Sequence, residues 1–401
     1  MIRYLTAGES HGEALIGIVE GMPAHIPLAP ADINEHLARR WLGYGRGGRS
    51  KIENDKVHLY SGIRFEKTLG SPIAIRIDNG AYKKDKAGWP EKMAIEGDGE
   101  GIESVTLPRP GHADLAGMQK YDFDDMRPVI DRSSARETAM RVACCSVART
   151  LLRRLGIEVG SHVTRIGEVG WDGPDAWYDR VESLIEGDGS ARAIYEQADE
   201  SGTRMLDDDM TERCIEHIEE AKSNRDSLGG TYEVIATGVP PGLGSYVHWD
   251  RRLDGRLAQA ICSIQAQKAA EIGDGVRNAR RPGSKVHDPI LPSEGDAYPR
   301  RTNRAGGLEG GTTNGMPIVV RGYMKPIPTL IKPLDSVDTA TGEPQPTRYE
   351  RSDITSVPAA STVAEATVAW TLAEALLEKY GGDTFEDLKA HIEHDRAVRG
   401  Q

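Results

Sequence analysis

The sequence predicts an α/β protein in which one strand–helix–strand–helix unit is used twice, giving two sheets related by pseudo-symmetry. Three observations predict it, each a pair of similar segments in the same order along the chain. Glu9-Ser10-His11-Gly12 precedes the strand-like Ala14 to Pro23, and Asp226-Ser227-Leu228-Gly229 precedes Tyr232 to Pro240. An apolar helix follows each, Pro30 to Trp41 and Leu253 to Ala270, and then a Gly-x-Pro-Ile strand, Gly70 to Arg76 and Gly315 to Arg321. Finally Arg132-Ser133-Ser134 and Arg351-Ser352-Asp353 lead into long helices ending before Gly156 and near Gly381. Any one pair could recur by chance, but the full ordered set makes chance the weaker account. The halves cover about residues 1–160 and 226–381 of a single domain spanning 1–401, and 165–225 reads as an acidic connecting segment.

The individual elements follow from local pattern. Ile73, Ile75 and Ile77 alternate as in a half-buried strand. Ser134 and Glu137 read as a capping box for a helix whose stripe is Ala139, Val142, Ala143, Val147, Thr150 and Leu151. Arg149, Arg153 and Arg154 suit its negative end, and Gly156 can close it. Residues 79–106 and 165–225 are polar and read as connections or peripheral elements, with an amphipathic helix around Met210 to Ala221. Asp383 to His394 reads as a last helix with Phe385, Leu388 and Ile392 on one face.

Composition excludes several functions. With 38% hydrophobic and 28% charged residues the chain is globular. Ala14 to Val19 is too short to span a bilayer, and the first five residues carry no signal-like apolar core. A formal charge of −12 argues against a general nucleic-acid binder. Cys144, Cys145, Cys214 and Cys262 match no zinc spacing and read as reduced thiols of a cytoplasmic protein.

Against that acidity, Arg39 to Lys51 holds five cations, no acid, and glycines at 43, 45, 47 and 48. Glycines let backbone approach a ligand, and arginines grip carboxylate and phosphate. Arg132 to Thr138, with two serines at a helix start, reads as a phosphate site, although an ordinary cap would look the same. His11 and His112 each follow a small residue, Ser10 or Gly111, and are the acid–base candidates. Asp353 among cations is either a proton acceptor or a salt-bridge partner.

Together, Gly8-Glu9-Ser10-His11-Gly12, Gly43-Tyr44-Gly45-Arg46-Gly47-Gly48-Arg49, Arg109-Pro110-Gly111-His112-Ala113-Asp114, Arg132-Ser133-Ser134-Ala135-Arg136-Glu137-Thr138, Glu271-Ile272-Gly273-Asp274-Gly275 and Arg351-Ser352-Asp353 resemble chorismate synthase, in its bacterial, actinobacterial-type branch. The resemblance runs to about residue 380. It implies a β-α-β sandwich, two antiparallel sheets flanked by helices, in a homotetramer. It also implies a carbon–oxygen lyase of aromatic amino-acid biosynthesis that converts 5-enolpyruvylshikimate 3-phosphate to chorismate and phosphate, needing reduced FMN without net redox change. By resemblance, His11 protonates the departing phosphate, His112 stabilises the reduced flavin, and Asp353 assists removal of the substrate proton through the flavin N5. Ser10, Arg40, Arg49, Arg109, Arg136 and Arg351 match substrate positions. Arg132, Ser133, Ser134, Gln265, Ala266, Gly310, Lys325, Pro326, Ile327, Pro328, Thr329 and Arg351 match flavin-contacting ones, and Arg40 and Arg46 match positions assigned to NADPH. Two residues depart from the family pattern: Pro328 stands where serine is usual, and Val276 where phenylalanine is usual. The alternative classes are a flavin-dependent oxidoreductase acting on a phosphorylated substrate, and a non-catalytic binder of phosphorylated metabolites.

Overall fold

The computed structural model describes residues 1–46, 55–84, 87–171, 173, 178–292, 298–347 and 353–399. The first sheet comprises β1 (Arg3–Ala7), β2 (Ala14–Glu20), β3 (Val57–Leu59) and β4 (Ile73–Asp78), in the order β1-β2-β4-β3. The second comprises β5 (Glu158–Ile166), β6 (Val169–Gly170), β7 (Gly230–Thr237), β8 (Gln267–Ile272) and β9 (Ile318–Met324), in the order β8-β9-β7-β5-β6. All pairs within both sheets are antiparallel. Matching β1 to β5, β2 to β7, β3 to β8 and β4 to β9 turns one order into the other, so the paired sequence segments occupy corresponding places.

Between the sheets lies a helix layer. Its members are α1 (Pro30–Arg40), α4 (Glu137–Arg154), α8 (Leu253–Cys262) and α9 (Val357–Tyr380); two short helices, α2 (Asp114–Tyr121) and α3 (Arg127–Ser133), precede α4. Helix α4 packs on β1, β2 and β4 and against α9, which in turn packs on β5 and β7. Helix α9 is buried on nearly every side, as a helix in the middle of a sandwich must be. This is the β-α-β arrangement that the resemblance implies. Three further helices, α5 (Tyr178–Asp188), α6 (Arg192–Glu200) and α7 (Asp208–Ser223), occupy the segment read as a connection. Val181, Ala191, Ile194 and Ala198 pack there with Ile235 of β7 in an apolar cluster of their own, which covers the outer face of the second sheet. Among the described residues the outer face of the first sheet has no such cover: Leu5 is 67% exposed, beside Ile16 and Ile18. The last helix, α10 (Phe385–Arg399), buries Leu388 and Ile392.

One predicted helix is shorter than expected. The pattern from Leu253 to Ala270 continues as a helix only to Cys262; Ser263 to Ala266 turn, and Gln267–Ile272 forms β8. Lys268, Ala269 and Ala270 are good helix formers, but pairing with β9 overrides their propensity. The four thiols are free; Cys144, Cys145 and Cys214 are buried and Cys262 is exposed.

The layer is fixed by one buried charge cluster. Glu365, in the middle of α9, is fully buried and accepts from Arg39 of α1 (2.6 and 2.9 Å), Arg149 of α4 (2.6 Å), Arg204 (3.0 Å) and Ser161 of β5 (2.6 Å). Burial alone would raise the Glu365 carboxyl, but Arg39 and Arg149, with Arg204 behind them, hold it well below the usual range. Asp199 of α6 takes the remaining charge of Arg39 and also pairs with Arg204. Removing the anion shared by all three arginines leaves buried Arg149 without a carboxylate partner among the described residues. Glu365→Gln is therefore expected to destabilise the chain by about 3–5 kcal/mol, read as a lowered denaturant midpoint.

His36 lies beside this cluster, 2% exposed, with Nδ1 lacking any partner among the described residues. Burial, then Arg149 and Arg39, hold its pKa well below the usual value for histidine. The unfolded chain therefore takes up a proton near pH 6.5 that the folded chain refuses. Stability is full above that pH and falls as pH drops below it, by up to about 1.4 kcal/mol per unit. Urea unfolding from about pH 7 to pH 5 is expected to show this slope in the wild type, and His36→Gln to remove it.

Candidate active site

The loop from Gly8 to Gly12 joins β1 to β2 and is held from three directions. Gly8 has φ +98°, and a Cβ there would meet the Ala14 carbonyl oxygen at 2.4 Å, so only glycine fits. Asn79, just past β4, donates to the carbonyls of Glu9 (3.0 Å) and Gly12 (2.7 Å). Arg132 in the last turn of α3 donates to the carbonyls of Gly8 (3.1 Å) and Thr6 (2.8 Å). Within this frame Ser10 is buried and its hydroxyl lies 3.2 Å from that of Ser134. His11 places Nδ1 2.6 Å from Asp131 and stacks on Trp89, with ring centroids 3.8 Å apart and 15° between planes. Trp89 comes from the polar stretch read as peripheral, so that reading is corrected here.

The expected capping box is not formed. Ser134 closes α3 rather than opening α4, whose N-cap is Arg136, without a side-chain cap bond. Ser134 Oγ does accept from the Arg136 backbone N–H at 3.2 Å. Glu137, however, turns to Thr6 (2.9 Å), Gln265 (3.2 Å) and Arg141 (3.1 Å). The Ser-x-x-Glu spacing arises because two helices abut at this corner, and the glutamate serves tertiary partners instead of the backbone. The hydroxyl of Ser133 donates back to Val129 O (2.6 Å).

Beside that corner stands an arginine wall built around Trp41. Arg40, Arg46 and Arg136 lie over its ring at 5.1, 5.7 and 6.0 Å. Arg40 is buried and donates to Thr138 Oγ1 and Ala135 O, both at 2.9 Å. Arg136 is paired with buried Asp55 (2.7 Å) and donates to Asn79 (3.0 Å). Arg46 lies 3.5 Å from Asp353, which also accepts from Ser356 (3.1 Å). Of the predicted substrate residues, Arg49 and Arg351 lie outside the described residues.

The second histidine belongs to a neighbouring network. Asp114, at the start of α2, has a fully buried side chain and accepts from the Arg109 backbone (3.0 Å), the Arg109 guanidinium (2.9 and 3.1 Å) and His112 Nδ1. Burial would raise this carboxyl; the bonds from His112 and Arg109 hold it well below the usual range. Arg109 also lies 3.1 Å from His112 Nδ1. Because Nδ1 carries its proton toward the carboxylate, the Asp114 contact is the hydrogen bond and the Arg109 contact is not. Arg109 reaches Thr329 (2.9 Å), and Lys325 donates to Gly111 O, which joins the 325–329 segment to this loop. A Cβ at Gly111 would lie 3.1 Å from Lys325 Nζ and 3.6 Å from Pro328, so glycine allows the close approach. Ile327 O accepts from Ser227 (2.8 Å), and Leu228 N–H donates to Ile354 O (2.8 Å), carrying the connection on to Asp353 and Arg46.

Gln265 and Ala266 form the turn before β8. Ala266 sits at φ +65° and its carbonyl accepts from the Lys325 N–H. Gln265 donates to Glu137, but its Oε1 is buried with no partner among the described residues. Gly310 makes a hairpin turn at φ +60° whose packing neighbour is Tyr246, apart from the groups above. The Glu271 to Gly275 motif serves the sheet edge instead: Arg321 pairs with Glu233 (2.7 Å) and donates to Gly273 O, and Asp274 binds Arg281 (2.8 Å). Val276 is half exposed. Asp131, Asp114, Asp55, Asn79 and Trp89 are the site residues that the sequence reading missed; only the aspartate two residues beyond His112 gave any local signal. Among the described residues no His, Cys, Asp and Glu group could hold a metal ion, and no helix is long and apolar enough to cross a membrane.

Removing the Asp114 charge leaves the partly buried Arg109 without its carboxylate. Asp114→Asn is expected to destabilise the chain by about 3 kcal/mol. Because the folded carboxyl is depressed, that contribution is present above the unfolded pKa of about 3.9 and is lost as pH falls through the folded one. Denaturant unfolding is thus expected to give a constant difference between wild type and variant from about pH 5 to pH 8.

A family model described as chorismate synthase matches residues 2–377. A chorismate synthase of Salinibacter ruber is 78% identical over 401 residues, covering 99% of each chain. That of Chlorobaculum tepidum is 52% identical over 399 residues, covering 99% of this chain and 98% of its own. A crystal structure of chorismate synthase superposes with a TM-score of 0.78 at 41% identity, covering 100% of this chain and 98% of that one.

Proposed function

The chain belongs to the chorismate synthase family, and we propose from that premise how its residues eliminate phosphate from 5-enolpyruvylshikimate 3-phosphate to give chorismate. The observation that carries the reading is the pair of imidazoles, each with Nδ1 on its own buried aspartate, next to an arginine wall. A neutral histidine so held keeps its second nitrogen for proton exchange. His11 donates a proton to the departing phosphate oxygen, which lowers the charge that leaves with the C–O bond. Ser10, Arg40, Arg109 and Arg136, together with Arg49 and Arg351, set the substrate's phosphate and carboxylates. Arg40 and Arg136 are partly balanced by carbonyls and Asp55, so they shape and polarise the wall while staying in place. Asp353, steadied by Arg46 and Ser356, receives the proton lost from the substrate carbon.

The residues also fit a reduced flavin mononucleotide. The buried Oε1 of Gln265, without a partner among the described residues, suits a ring N–H, while Arg132 and Lys325 with the hydroxyls of Ser133, Ser134 and Thr329 suit a phosphate. Ala266 and the segment Pro326-Ile327-Pro328 supply close backbone. When bound, reduced flavin supplies electron density that eases C–O cleavage and recovers it, so the reaction is redox-neutral. His112, aimed by Asp114, keeps a proton available beside it. Arg40 and Arg46 are the contacts proposed for NADPH. The uncovered apolar face of the first sheet supports assembly as a homotetramer, with Leu5 against another copy, and membership of a biosynthetic family supports the cytoplasm as its place.

Mixing the enzyme anaerobically with reduced FMN and 5-enolpyruvylshikimate 3-phosphate tests the reading. Chorismate absorbance and free phosphate are expected to rise in equal amounts while the flavin ends reduced. Net flavin oxidation would instead mark an oxidoreductase, and binding without phosphate release a non-catalytic protein. His11→Ala is expected to lower turnover by about 100-fold to 10,000-fold.

A further inference from the structure

His11 stands on a loop between strands, so its ring must be aimed by neighbours rather than by a ladder of its own. Two neighbours do this. Asp131, 3% exposed, sets Oδ1 2.6 Å from His11 Nδ1, and its backbone carbonyl accepts from the Ser10 N–H at 3.0 Å. One residue of α3 thus grips both the histidine side chain and the backbone just before it. Trp89 covers the ring face at 3.8 Å and 15°. A flip of this ring would lose the Asp131 contact, and a tilt would lose the stack on Trp89.

We propose that Asp131, with Trp89, is a positioning residue that holds the Nδ1–H of His11 and so leaves Nε2 as the nitrogen that takes up a proton from water and passes it to the leaving phosphate. The proposal rests on the assignment of His11 as the acid. A carboxylate oxygen only accepts, so the proton at the 2.6 Å contact lies on Nδ1. The neutral ring first takes a proton from water at Nε2 and becomes imidazolium; in the step that Nε2–H bond breaks as an O–H bond forms on phosphate. No electrons are exchanged, and the ring is left neutral with its remaining proton facing Asp131. Without the carboxylate, the neutral ring could carry its proton on Nε2 instead, and the imidazolium that donates would lose the anion beside its Nδ1–H. Trp89 adds a second restraint, because it holds the ring plane that directs Nε2.

Nitrogen-15 NMR of the histidine-labelled enzyme at a pH where imidazoles are neutral reads the tautomer directly, with His11 signals identified by their absence in His11→Gln. The wild type is expected to show the Nδ1–H form; an Nε2–H form would overturn the proposal without any variant. Asp131→Asn is nearly isosteric and offers Nδ1 an amide donor, so it is expected to move His11 to the Nε2–H form. Its kcat is expected to fall by about 100-fold, with KM changed by less than about twofold. Trp89→Leu is expected to leave the tautomer in place and lower kcat by about tenfold. An unchanged tautomer or kcat in Asp131→Asn would also overturn the proposal. Full turnover by His11→Gln would instead refute His11 as the acid, while the wild-type spectrum would still decide what Asp131 does to the ring.

Discussion

The structure depends on a single carboxylate shared by three arginines. Glu365 joins α9 to α1 through Arg39, to α4 through Arg149, to β5 through Ser161, and to the segment before α7 through Arg204. Hydrophobic packing alone would let helices in a sandwich slide, because apolar contacts are not directional. A buried anion with this many donors has essentially one low-energy arrangement, since each displaced guanidinium would be left desolvated and unpaired. The same helices carry the site at their ends. Arg39 is followed directly by Arg40 and Trp41; α4 begins one residue after Arg136; and α9 begins shortly after Asp353. Locking the middle of the layer therefore locks the corner where chemistry occurs.

At that corner positive charge is concentrated and then partly tamed. Asp55 pairs Arg136, Asp114 pairs Arg109, and Asp353 lies by Arg46. Carboxylates that hold cations in place keep the site from collapsing or repelling itself before an anionic ligand arrives. The two histidines are treated alike, each with an aspartate on Nδ1. This repeated device leaves the proton-exchanging nitrogen defined in both.

Much of this was legible in the sequence. The paired segments gave corresponding strands and helices, and the Gly8 to Gly12 loop lies against the Arg132 to Thr138 corner beside Arg40 and Arg46, whereas Glu271 to Gly275 serves the sheet edge. What stayed hidden depends on contacts between distant parts of the chain. Trp89 sits in a polar stretch with no periodicity, and nothing near it signals that it will stack on His11. Asp131 and Asn79 look like ordinary helix and strand-end residues until the Gly8 to Gly12 loop is folded onto them. The capping box failed because Glu137 had better tertiary partners, and Ala269 and Ala270 became strand because an edge of β9 was open to them. In both cases local propensity, worth a few tenths of a kcal/mol, yielded to pairing worth more.

The two sheets differ in how their outer faces are covered. The second is covered by α5 and α6 of its own chain, whereas the first presents Leu5, Ile16 and Ile18 to its surroundings. A defect beneath α6 is unimolecular and acts equally at every protein concentration. A defect on the face of the first sheet follows mass action wherever another copy covers it, and its severity then grows on dilution. Two halves with the same strand order thus carry different kinds of mutational risk.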